Sequence, residues 1–79
     1  MGRKRLRPDL RERFGFAVKA RREELGLTQE DLAGKAGIHR TYLSDVERGA
    51  RNVCLLNIGR LADALGLPLA GLFGLVDRS

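Results

Sequence analysis

Gly26, Gly37, Gly49 and Gly66 divide most of this 79-residue chain into short segments, and each falls where an apolar stripe of helical spacing gives out. Glycine enters the left-handed backbone region without a Cβ penalty, so it suits the end of a helix better than its interior. A chain stopped this often can build only short helices, and no stretch of it alternates for long like a strand. The first helix is predicted after Pro8-Asp9, with Asp9 as N-cap and Phe14, Ala17, Val18 and Leu25 keeping near-helical spacing. Thr28 is expected to cap the second, with Asp31 at the reciprocal position of a capping box and Leu32, Ala33 and Ala36 on its apolar side. The third runs from about Arg40 to Arg48, and "ARNVCLLN" leads into the fourth. There Ile58, Leu61, Ala62 and Leu65 recur at the spacing of one helix face. Pro68 opens a short fifth helix with Leu69, Leu72 and Phe73 apolar. The expected fold class is all-α: a compact five-helix domain over residues 9–76, a basic flexible arm at 1–8 and a frayed end at 77–79.

Composition narrows the function classes. A hydrophobic fraction of 43% fits one globular domain near the lower size limit for a self-sufficient core. One cysteine allows no internal disulfide and no cysteine metal cluster. One histidine leaves most His-based metal sites and a catalytic triad without their residues. No paired carboxylates, phosphate loop or nucleophile–base set is present, so no catalysis, no metal and no cofactor is expected. No apolar run approaches the ~20 residues that cross a bilayer, and the basic start lacks the apolar stretch of a signal peptide. The expected location is cytoplasmic, without a membrane partner. Cys54 is expected to be a small buried or half-buried residue.

The net charge of +5 is unevenly placed. Arg3, Lys4, Arg5 and Arg7 carry four of the fifteen basic residues, leaving eleven basic against ten acidic side chains in the rest. A cationic arm on a nearly neutral body is drawn to nucleic acid or to an anionic membrane, or merely solubilises the chain end.

Residues 29–48 hold two helical segments joined by a glycine-led turn, the pattern of a helix-turn-helix. Advancing the third helix by about 100° per residue gathers Leu43, Val46 and Glu47 on one side. Thr41, Ser44, Asp45 and Arg48 gather on the other, with Arg40 and Tyr42 on the flanks. The outward mixture suits a major groove: Arg can bond a guanine edge in bidentate fashion, Thr offers a hydroxyl and a methyl, and Asp can accept from a cytosine amino group. Arg40 and Thr41 open the helix, where side chains reach deepest. Glu47 falls on the inward side and needs a partner if buried, for which Arg22 is the candidate; otherwise it sits at the core rim, partly wet.

With these features in place, the sequence resembles the Cro/CI-type helix-turn-helix family, also called lambda-repressor-like or xenobiotic-response-element type. "VKARREELGLTQEDLAGKAGIHRTYLSDVERG", residues 18 to 49, carries the match, and "LADALGLPLAGLFG" continues it, so that residues 14 to 74 are covered. The resemblance implies that Gln29 touches a phosphate and braces the recognition helix. It implies base reading by Arg40 and Thr41, with a further reader at Asp45, and an Arg22–Glu47 buried pair. Tyr42 joins the expected base readers. His39, Ser44, Arg48, Arg51 and Asn52 join Gln29 on the DNA backbone, with His39 capping the recognition helix or touching phosphate. A weaker resemblance, through "RTYLSDVERGARN", is to restriction–modification controller proteins, which bind operator repeats as dimers. The basic arm departs from that pattern, as do Cys54 at the usual cap position and Leu56 where a polar residue is expected.

With Leu55 and Ile58 expected to turn inward, Leu56 should point elsewhere, and Leu72 and Val76 add more apolar surface than a small core easily hides. Leu56, Leu72 and Val76 are therefore the expected homodimer surface, unless they simply complete the monomer core. The expected function is a dimeric, sequence-specific regulator of transcription. Its partners would be a double-stranded DNA operator, a second copy and, as a further candidate, RNA polymerase. The alternative is an antitoxin or other protein-interaction module on the same fold, for which residues 1 to 8 and 75 to 79 remain.

Overall fold

The computed structural model describes residues 8–78. Five helices follow one another: α1 (Leu10–Glu24), α2 (Gln29–Ala36), α3 (Arg40–Glu47), α4 (Leu55–Ala64) and α5 (Leu69–Arg78), with no strand among the described residues. The expected arm at 1–8 lies outside this range except for Pro8, an exposed residue.

Local chemistry sets the helix starts. The Asp9 side chain accepts from the Arg11 backbone N–H at 2.7 Å while Glu12 Oε1 accepts from the Asp9 N–H at 2.9 Å, closing a capping box on α1. The same reciprocal pair closes α2: Thr28 Oγ1 accepts from the Asp31 N–H and Asp31 Oδ2 from the Thr28 N–H, both at 3.0 Å. Hydrogen bonds to the carboxylate from Thr28, that of its backbone N–H first, hold the Asp31 carboxyl below its ordinary range. Glycine sets the stops as expected, and Gly37 decides the functional geometry. Its φ of 70° lets the Ile38 N–H reach back to the Ala33 carbonyl at 3.0 Å, so the chain leaves α2 sharply and re-enters a helix at Arg40.

The core is shared by all five helices. Val18 of α1, Leu32 of α2, Leu43 of α3, Leu61 of α4 and Leu72 of α5 are wholly buried together with Leu65. α1 packs on α3 and α5, α2 on α3 and α4, and α4 on α5. One contact is close enough to constrain sequence: Gly15 of α1 lies against the C-terminal backbone of α3, where a Cβ would stand 2.8 Å from the Glu47 carbonyl oxygen.

Four expectations are corrected by this packing. Leu72 and Val76, assigned to a dimer surface, belong to the monomer core, with 0% and 1% exposure, because α5 lays that face on α1. Leu55, expected to turn inward, is 72% exposed. Burial on α4 begins with half-buried Asn57 and Ile58 and is complete only at Leu61 and Ala62, so Leu55 and Leu56 extend beyond the core. Cys54 is exposed, at the N-cap of α4 with no side-chain cap bond. α5 continues through Arg78, two residues past the expected domain end at 76.

Candidate nucleic-acid interface

Gly37, Ile38 and His39 join α2 to α3, and α3 turns one face inward and one outward. Leu43 and Val46 are buried, and the Glu47 side chain is only 3% exposed. Arg40, Thr41 and Arg48 are exposed, while Ser44 and Asp45 are half-buried at the edge. Helix phase, read from the sequence, thus sorts the inward and outward residues of α3 correctly.

What fixes α3 against the body is a buried ionic network at its end. Arg22 Nε donates to Glu47 Oε2 at 2.7 Å and Arg22 Nη2 to Glu47 Oε1 at 3.0 Å, a bidentate pair with the arginine side chain 10% exposed. Arg22 Nη1 donates to the Leu27 carbonyl at 2.9 Å, and Gln29 Nε2 donates to Glu47 Oε1 at 3.0 Å. The hydrogen bonds to Glu47 raise the Arg22 pKa above its ordinary value, so the guanidinium stays charged. α1, α2 and α3 therefore meet at one carboxylate. The Glu47 side chain is buried with partners and not wet at a rim, and Gln29 ties the start of α2 to the same carboxylate.

The outer face has its own order. Arg48 donates to Asp45, and Arg51 Nε donates to Asp45 Oδ2 at 3.3 Å. The Arg51 guanidinium also stands over the Tyr42 ring, 5.2 Å from its centroid, and Tyr42 Oη accepts from Asn57 Nδ2 at 3.2 Å. Tyr42 is half-buried and packed against the core. His39 is the N-cap of α3 but makes no side-chain cap bond, so that half of its expected role is not seen; it is exposed, as is Asn52. Arg40 borders an open cavity with Arg22, Thr28, Gln29 and Glu30 at the start of α2.

Sequence reasoning missed Asn57 and Gly15. Asn57 lies on a different helix from the tyrosine it touches, a relation no spacing rule reveals. Gly15 was visible only as a glycine inside a helix, a pattern that points to close packing without naming the neighbour. Among the described residues no group of three or more His, Cys, Asp or Glu could hold a metal ion, and no single helix is long and apolar enough to cross a membrane.

Two short helices at a glycine turn, the second locked at its end and open on its outer face, define a helix-turn-helix protein. The chain belongs to the Cro/CI-type helix-turn-helix family: the Helix-turn-helix family profile matches residues 18–72. It is 38% identical over 71 residues to control protein C.MunI of Mycoplasma sp., covering 89% of this chain and 96% of that one. Among solved structures it is similar to the restriction-modification controller protein C.AhdI from Aeromonas hydrophila, with a TM-score of 0.77 and 44% identity over 80% of this chain and 96% of that one. It is also similar to the controller protein C.Esp1396I, solved as a tetramer with its natural 35 base-pair operator, with a TM-score of 0.84 and 32% identity over 91% and 95%.

Proposed function

We propose that this chain is a sequence-specific DNA-binding regulator of transcription of the restriction–modification controller kind, acting in the cytoplasm as a homodimer on operator repeats. The observation that carries the reading is the locked recognition helix. Arg22, Gln29 and Glu47 fix α3 at one end while its first residues, Arg40 and Thr41, stand exposed. Control protein C.MunI matches 89% of this chain, and a structural neighbour, the controller protein C.Esp1396I, is held on its operator. In this reading Arg40 and Thr41 enter the major groove, Tyr42 lends an edge, and Gln29, His39, Ser44, Arg48, Arg51 and Asn52 face the phosphates. The basic arm adds salt-sensitive affinity for any sequence. RNA polymerase is the further partner at promoters that the chain activates. Selection of bound duplexes from a random pool by the full chain tests this: enrichment of a repeated half-site is expected, and a pool that stays random contradicts it.

The second copy is placed on the first turn of α4. Leu55 and Leu56 are 72% and 73% exposed on adjacent positions, an apolar projection that water disfavours. Burying one leucine is worth about 1.5–3 kcal/mol, so Leu56→Lys is expected to weaken self-association by tenfold or more. Sedimentation equilibrium reads this directly. A variant that associates as tightly as the parent would move the interface elsewhere, and a parent that stays monomeric at high micromolar concentration, with and without operator, would remove the dimer. A dimer of this kind sets two recognition helices about 34 Å apart, one turn of DNA.

A further inference from the structure

The outer face of α3 carries a carboxylate in a place where DNA phosphates would repel it. Asp45 lies between Arg48, three residues on in the same helix, and Arg51 in the loop beyond. Arg48 Nη2 engages Oδ1, and Arg51 places Nε and Nη2 each at 3.3 Å from Oδ2. Both carboxylate oxygens thereby hold a guanidinium in the free protein, and a base amino group would have to compete with those partners. The pairing is not a burial device, since the Arg48 and Arg51 side chains keep 64% and 50% exposure. The cluster is held from behind: Arg51 stacks on Tyr42, whose hydroxyl is bonded to Asn57 of α4. The Arg48 hydrogen bond first, and then that of Arg51, keep the Asp45 carboxyl below its ordinary range, so it is charged at neutral pH.

We propose that Asp45 is a specificity-determining positioning residue, which acts on DNA through Arg48 and Arg51 and not by accepting from a base. It occupies both arginines in the free protein and sets a fixed negative charge against any phosphate backbone. To reach phosphates, Arg48 and Arg51 must exchange a carboxylate for a phosphate, partners of similar geometry. On any duplex that exchange yields little net gain, and the carboxylate left behind is repelled. On a matched duplex the groove contacts of Arg40 and Thr41 offset the loss; on a mismatched one nothing does. A built-in repulsive element of this kind raises discrimination while lowering affinity for all sequences. Exposed ion pairs are individually weak, so the effect is moderate in size.

The inference rests on the DNA-binding reading above, and the experiment separates the two. The full chain, Asp45→Asn, Asp45→Glu and Asp63→Asn are titrated with a mixed-sequence duplex and with the duplex selected from a random pool, over a range of salt. Asp63 is exposed on α4 and makes the same change of net charge away from the cluster. Asp45→Asn is expected to bind the mixed-sequence duplex about fivefold to twentyfold more tightly at low salt. Its salt slope should steepen by up to about 0.9, one phosphate contact. The selected duplex should gain less, so the ratio between the two falls. Asp45→Glu should keep part of that ratio, and Asp63→Asn should follow the parent within about twofold. A thermal melt accompanies each variant, because a merely structural role would shift the midpoint and leave the salt slope alone. The proposal is overturned if Asp45→Asn matches Asp63→Asn on mixed sequence. It is equally overturned if Asp45→Asn loses affinity for the selected duplex at a single base pair, the behaviour of a base reader. A parent chain that selects no duplex at all would remove the functional reading and this inference together.

Discussion

Glu47→Gln is expected to lower the unfolding free energy by about 3–5 kcal/mol, because it leaves the Arg22 guanidinium in a largely buried site without its counter-charge. The isosteric amide keeps the shape of the carboxylate but cannot accept two guanidinium hydrogen bonds and one from Gln29. In a domain of this size each kcal/mol shifts the melting temperature by roughly 4–8 °C, so a fall of at least about 12 °C is expected by circular dichroism. Arg22→Gln should cost about as much, and the double variant should cost less than the two singles added, since they share one network. An unchanged midpoint for Glu47→Gln would show that the pair contributes nothing net to stability. Because the network ties α1 and α2 to the end of α3, any surviving fold should also hold its recognition helix less firmly.

The second large effect is expected at a position with no charge. Gly15→Ala would place a Cβ 2.8 Å from the Glu47 carbonyl oxygen and 2.9 Å from the Glu47 carbonyl carbon. Both are backbone atoms, so relief requires α3 to move away from α1. Helix propensity alone favours the alanine by up to about 1 kcal/mol, and overpacking typically costs about 1–3 kcal/mol or more. Clash with fixed backbone should win, leaving a net loss of about 2 kcal/mol. Gly34 supplies the control: it is helical and exposed, and a Cβ added there would meet nothing within 4 Å, so Gly34→Ala should gain stability from propensity. Denaturation midpoints of opposite sign for the two variants are the expected outcome. A Gly15→Ala chain as stable as the parent would mean that α1 and α3 can separate at little cost.

The parts of this structure that depend on near neighbours in the chain could be read from the sequence. Asp9 with Glu12, Thr28 with Asp31 and the positive-φ glycines act over three or four residues, and each does what its type suggests. The Arg22–Glu47 pair spans 25 residues; helix phase put the carboxylate on the inward side of α3, and the family resemblance supplied the arginine as its partner. Where two helices compete to cover the same apolar residues, the sequence carried less. Leu55, Leu72 and Val76 are all apolar, and only the seating of α5 on α1 and the overhang of α4 decide which are covered. Asp45 shows the same limit at the site: its pairing with Arg51 crosses the end of a helix, where no periodicity applies.

In the proposed function the first turn of α3 reads bases while Arg51, beyond its end, holds the backbone. The direct test compares Arg40→Ala and Arg51→Ala with the parent on the selected duplex, on its single-base-pair variants and on mixed sequence. A bidentate guanine contact is worth about 1–3 kcal/mol of discrimination. Arg40→Ala should therefore lose preference at one base pair in each half-site and keep most of its affinity for mixed sequence. Arg51→Ala should leave every base preference intact and lower the salt slope on the selected duplex by about 1, with a smaller loss on mixed sequence, where Asp45 competes for the guanidinium. If Arg40→Ala instead weakens selected and mixed duplexes by the same factor, with every base preference intact, Arg40 is a phosphate clamp and the assignment of α3 as the reading helix through its first residue is wrong.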